Sequence, residues 1–242
     1  MLTNQTTEYH NKHVLNTPTP TRGWAKSIQT TMKQNSTFRK EALTSLEGNW
    51  GTATLMTVVY YLITYVIVLG GGICLSKIGE EASLGGNLLG IIALPMAYAL
   101  IVSFLNLSRG GEISVAYLFK FYSNKNVWLM MILKTVYILL WALLLIIPGI
   151  IKTYSYAMSE YIMHDNPEIS ADEAIRQSMK MMKGKKIKLF LLDLSFIGWI
   201  ILSLLTLGLG FFILAPYIYT ARAKFYLDLK AETATTAESE EQ

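Results

Sequence analysis

The 242-residue sequence holds one cysteine and three histidines, and only 16% of its residues are charged. One cysteine, Cys74, excludes a disulfide framework and a cysteine-based zinc site within a single chain. It sits in an apolar stretch and reads as a small buried apolar residue. His10, His13 and His164 form no His-Glu-x-x-His pattern and none lies well inside an apolar run. A zinc-protease helix and an intramembrane histidine base for a serine nucleophile are therefore both missing. No Gly-rich loop ends in Lys-Ser/Thr, so no ATP phosphate cradle is expected, and no cofactor is implied. The scarcity of charge itself is informative. Soluble domains carry nearer about 25% charged residues, whereas this chain is 52% hydrophobic with mean hydropathy +0.36. The composition is that of a bilayer protein.

Net charge is +4 although Glu232, Glu238, Glu240 and Glu241 crowd the last eleven residues. The remainder is thus more basic than the total. In a membrane protein such charge belongs to cytoplasmic loops, and no basic stretch is interleaved with exposed aromatics in a soluble module, so nucleic acid is not an expected partner. The polar stretch 1–36, with Thr17-Pro18-Thr19-Pro20, lacks the basic start and apolar core of a secretory signal and is expected to be a flexible cytoplasmic tail, as is the acidic stretch 231–242.

Two spans are plain: Thr52 to Leu75 and Leu84 to Leu107 are uncharged and exceed the roughly 20 residues that cross a bilayer. Further spans are expected at about 126–147, 149–164, 187–206 and 209–229. The weak fourth one decides between five and six. With five, Arg176, Lys180, Lys183, Lys185, Lys186 and Lys188 would be external, against the bias of short loops toward internal positive charge. With six and a cytoplasmic N-terminus, only Lys77 and Lys152 lie near the outer face and Lys134 within the membrane. The expected fold is an all-α membrane protein of six transmembrane helices in three hairpins, both termini cytoplasmic, with Pro148-Gly149 as a tight outer turn and a break at Leu207-Gly208-Leu209-Gly210.

Three amphipathic stretches precede spans: Glu41 to Trp50, Val115 to Trp128 and Ala174 to Lys188, and the return helices share prolines at 95, 148 and 216. We read three repeats of a cytoplasmic interfacial helix followed by a hairpin. Ser170-Ala171-Asp172-Glu173 fits a capping box opening the third helix. Ile175, Met179 and Met182 share one face, ringed by Arg176, Lys180 and Lys183, with Lys185, Lys186 and Lys188 following. These six cations either fix topology or meet anionic lipid headgroups.

Ionisable residues inside spans are costly. Lys134 lies 14 residues before Pro148 and Glu160 lies 12 after it; Asp193 lies 15 before Gly208 and Arg222 lies 14 after it. At about 1.5 Å per residue all four sit roughly 20 Å from the outer turns, forming two facing pairs that either lock their hairpins or line an inward cavity. Gly86-Asn87-Leu88-Leu89-Gly90 offers a small-residue contact face. A loop metal site from His164, Asp165, Glu168 and Asp172 matches no ligand spacing, and a solvated loop is the simpler reading.

The runs Ile147-Pro148-Gly149-Ile150, Asp165-Asn166-Pro167, Ala174-Ile175-x-x-Ser178-Met179-x-x-Met182-x-Gly184, Leu194-Ser195-Phe196-Ile197-Gly198-Trp199 and Ala215-Pro216-Tyr217 resemble the integral membrane proteins of domain-of-unknown-function family 975. The resemblance covers about 38–229 and implies a bacterial cytoplasmic-membrane protein, with no assigned activity and no catalytic residues to carry over. The expected role is a non-enzymatic scaffold, assembly or regulatory factor working through lipid and a membrane-protein partner or a second copy; the alternative is a small transporter or channel.

Overall fold

The computed structural model describes residues 32–76 and 89–240. Lys77, Gly86-Asn87-Leu88 and the Cys74 side chain lie outside the described residues. The described chain is helical: α1 (Asn35–Leu46), α2 (Trp50–Ser76), α3 (Leu94–Ser108), α4 (Lys125–Leu144), α5 (Ile146–Ser155), α6 (Ser159–Asp165), α7 (Ala171–Met181), α8 (Lys186–Leu194), α9 (Ile197–Leu205) and α10 (Phe211–Glu240). Short 3₁₀ turns at Leu89–Ala93 and Val115–Phe119 precede α3 and α4.

Among the described residues, four segments are long and apolar enough to cross a membrane: Trp50–Ile73, Leu89–Ser108, Lys125–Leu144 and Lys186–Leu205. These match four of the six expected spans. The other two have different shapes. The stretch expected at 149–164 is α5 and α6, broken at residues 156–158. That expected at 209–229 is the first part of α10, which contains Pro216 and runs on through the expected tail to Glu240.

Leu89–Ser108 is the central segment, with 56% of its apolar window buried against 17–22% for the other three. Tyr98, Leu100, Val102, Phe104 and Leu105 of α3 are all at most 1% exposed. Around them pack α4, α6, α10 and α1; Phe38 of α1 meets Phe225 of α10 edge to face at 5.4 Å, and Tyr161 of α6 stacks on Tyr226 at 5.0 Å. Met32 is buried, so the packed body includes part of the expected N-terminal tail. Large apolar side chains at the far ends of α4–α5 and α9–α10 are exposed, Leu143 at 87% and Leu207 at 96%. Such a surface suits hydrocarbon rather than water.

The hairpin turns correct one expectation. The chain reverses at Leu145, a single extended residue (φ −160°, ψ 135°), and Pro148-Gly149 lies in the first turn of α5. Proline is tolerated there because early helical amides lack partners. Gly149 serves packing instead: a Cβ on it would come within 2.8 Å of the Ala142 Cα. The second break falls where expected, with Leu207 (φ 54°) and Gly208 (φ 86°) left-handed. Gly210 then packs on Ser203, whose Cα a Cβ would approach to 2.8 Å. Each hairpin thus closes on a glycine pressed against the opposite arm.

The helix–break–helix pattern before α2 and α8 is repeated in the backbone: Gly48 and Gly184 both adopt φ 77°. Before α4 the helix is reduced to a 3₁₀ turn, and Asn124 caps the span by accepting from the Asn126 and Val127 amides.

Candidate functional site

The two charge pairs read from sequence are both in contact. Lys134 of α4 bonds Glu160 of α6, with side-chain exposures of 15% and 4%, and Ser159 Oγ, which donates to the Tyr156 carbonyl at 2.7 Å, lies 3.3 Å from the other Glu160 oxygen. Arg222 of α10 holds Asp193 of α8 through two bonds, Nε to Oδ1 at 2.9 Å and Nη2 to Oδ2 at 2.7 Å. This fork-to-carboxylate geometry is the strong form of the interaction. Here Arg222 stays 37% exposed and Asp193 17%.

Glu160 reaches Lys134 although the turn lies three residues earlier than expected, because the return arm is broken. Ser178 of α7 repairs that break. Its hydroxyl accepts from the Met158 amide at 3.1 Å and donates to the Ser155 carbonyl at 2.8 Å, with Ser178 itself 0% exposed. A side-chain hydroxyl thus satisfies backbone groups freed inside an apolar body.

That contact sets the role of α7. Ser170 caps it by accepting the Glu173 amide at 3.3 Å, as the capping-box pattern predicts, while the Glu173 carboxylate bonds Gln177 and Arg176. Its apolar face, with Ala174, Ile175 and Met182 at most 1% exposed, packs on α4 and α6 rather than facing lipid. The six cations there divide. Arg176 pairs with Asp172 and Glu173 on its own helix, Lys185 with Glu232 at 2.6 Å, and Lys188 donates to the Met32 carbonyl at 2.7 Å. Lys180 and Lys183 are exposed and Lys186 partly so.

A third ionic cluster was not read from the sequence. Asp165, expected in a solvated loop, has a side chain only 6% exposed and gathers three partners: Arg109 beyond the end of α3 at 2.8 Å, Tyr226 of α10 at 2.8 Å, and Lys230. Burial alone would raise this carboxyl, but the bonds from Lys230, Arg109 and Tyr226 outweigh it and hold it below the usual carboxylate range. Beside it His164 meets Asn106 at 3.3 Å, and Asn106 donates to the Tyr117 hydroxyl at 3.1 Å. The Asp165-Asn166-Pro167 run was the available signal; nothing local revealed its partners, 56 to 65 residues away. Among the described residues, no three His, Cys, Asp or Glu side chains gather as a metal site.

A groove of about 920 Å³ lies between α2 and α10, lined by apolar and tyrosine side chains, with Arg222 as its charged member. A smaller one of about 250 Å³, between α5 and α8, also touches Arg222, beside Tyr154.

The family model of DUF975, described as a protein of unknown function, matches residues 89–233, from the 3₁₀ turn before α3 well into α10. No curated protein and no solved structure matches the chain.

Proposed function

The chain belongs to the DUF975 family, and we propose that this member is a non-enzymatic protein of the bacterial cytoplasmic membrane, a scaffold, assembly or regulatory factor working through lateral contacts with lipid and protein. In this reading α5–α6 and the first part of α10 cross the bilayer as well, giving six spans in three hairpins with both termini cytoplasmic. The distribution of Lys and Arg supports that topology, since the basic stretch 176–188 then lies inside. The observation that carries the non-transport reading is the closure of the charges at membrane depth. Lys134 is bound to Glu160 and Asp193 to Arg222, and the groove beside Arg222 is apolar rather than a polar path. Paired intramembrane charges fix hairpin geometry.

One observation favours a transporter instead: Arg222 remains 37% exposed between two cavities. The variants Glu160→Gln and Asp193→Asn separate the readings. Lowered thermal stability with cellular function retained is expected; loss of function at unchanged abundance and stability would favour transport. Cysteine substitution at Gly184 should give labelling from the cytoplasmic side, and labelling only from outside would sink the six-span topology.

A further inference from the structure

We propose that the groove between α2 and α10 holds a single membrane phospholipid, its acyl chain along the groove and a phosphate oxygen on Arg222. The proposal rests on the six-span reading, which puts α10 across the bilayer. The groove follows α2 from Val58 to Val68, about 15 Å at the helical rise, which is one leaflet of a hydrocarbon core about 30 Å thick. Its volume, about 920 Å³, falls in the range of roughly 300–1,000 Å³ typical of sites that bind one small molecule. Leu62, Phe211 and Ile218 give it apolar walls suited to a chain.

The occupant's polar end follows from Arg222. A guanidinium carries five N–H donors, and the two bonds to Asp193 engage only Nε and Nη2. The side chain lines the groove and is 37% exposed, so it has donors to offer at a depth where hydrocarbon supplies no acceptor. A phosphodiester oxygen supplies one, in the charge-assisted form that arginine binds best. Tyr61, Tyr65 and Tyr219 bring hydroxyl-bearing rings to the same wall. A partner helix with an apolar face would fill the groove and leave these donors unmet. The second apolar cavity, about 380 Å³ between α9, α10 and α1, has no charged lining residue and is the internal control.

The test is native mass spectrometry of the full chain, purified from vesicles containing equal parts phosphatidylglycerol and diacylglycerol with the same acyl chains. Wild type is expected to retain one phospholipid with roughly tenfold preference, as one charge-assisted hydrogen bond provides. Ala215→Trp, which fills the groove without touching either charge, should abolish retention. The double variant Asp193→Asn, Arg222→Gln, which leaves no unpaired charge, should remove the preference. Equal retention of both lipids by wild type, or undiminished retention by Ala215→Trp, overturns the proposal; Leu202→Trp in the control cavity should change nothing. Labelling of Leu209→Cys in a Cys74→Ser background, using a membrane-impermeant reagent from outside, checks the span reading separately. External labelling with no lipid preference overturns the groove alone, and absence of external labelling overturns both.

Discussion

The two charge pairs hold equivalent places in successive hairpins yet differ in surroundings and in polarity. In the first, the cation is on the outgoing arm, both side chains are at most 15% exposed, and Ser159 lies beside the carboxylate. In the second, the cation is on the return arm, the bond is a bidentate fork, and Arg222 faces two cavities. A sealed pair can do little except hold its helices in register. A pair with one open flank can hold its helices and still present donors to something else. The difference arises next door: α7 packs on both α4 and α6, which carry the first pair, whereas Arg222 of the second lines the gap between α2 and α10.

Breaking the sealed pair should have the largest effect. Glu160→Gln leaves Lys134 charged and buried, which costs about 3–5 kcal/mol, read as a lowered midpoint in thermal unfolding of the purified protein. Asp193→Asn should cost less, about 1–2 kcal/mol, because Arg222 can redirect toward its open side. Equal losses would mean that the two pairs are equivalent after all. Next come the hairpin closures. Gly149→Ala and Gly210→Ala each force a Cβ to within 2.8 Å of a backbone Cα on the opposite arm, and should cost about 1–3 kcal/mol. Gly198→Ala, which meets nothing within 4 Å, should be neutral or slightly stabilising.

The smallest loss should be at the third cluster. With its folded pKa below the unfolded value of about 3.9, Asp165 contributes fully above that value and loses its contribution as pH falls through the folded pKa. Asp165→Asn should therefore flatten the acid limb of the stability–pH profile while leaving the alkaline limb unchanged. An unaltered acid limb would show that Asp165 is dispensable to folding.

Hydropathy and charge placement revealed the long apolar helices and, by counting from the turns, the partners in both charge pairs. For Asp193 and Arg222 the count holds because distance from a turn is linear in residue number; Lys134 and Glu160 meet because the break at 156–158 offsets the earlier turn. They misplaced the Leu145 turn, since Pro148-Gly149 has the composition of a reversal but is used for a first helical turn and a close contact. They missed Ser178, because a serine filling a backbone break has no periodic signature before the break itself is known. They also treated α7 as a surface helix. Amphipathicity shows that one face is apolar but not whether lipid or protein covers it, and here Ala174 and Ile175 pack on protein.

The reversal at Leu145 also bears on how such a hairpin is made. From Thr135 through Ile151 no residue is charged, and the same holds from Leu194 through Ala221 around the second break. The turns themselves are a lone extended leucine and a Leu-Gly pair whose backbone amides bond within the hairpin. Neither tip carries a charged side chain, so the charged groups of each hairpin lie away from its turn. Each ion pair thus sits at the open end of its hairpin and latches two arms that the uncharged turn only hinges.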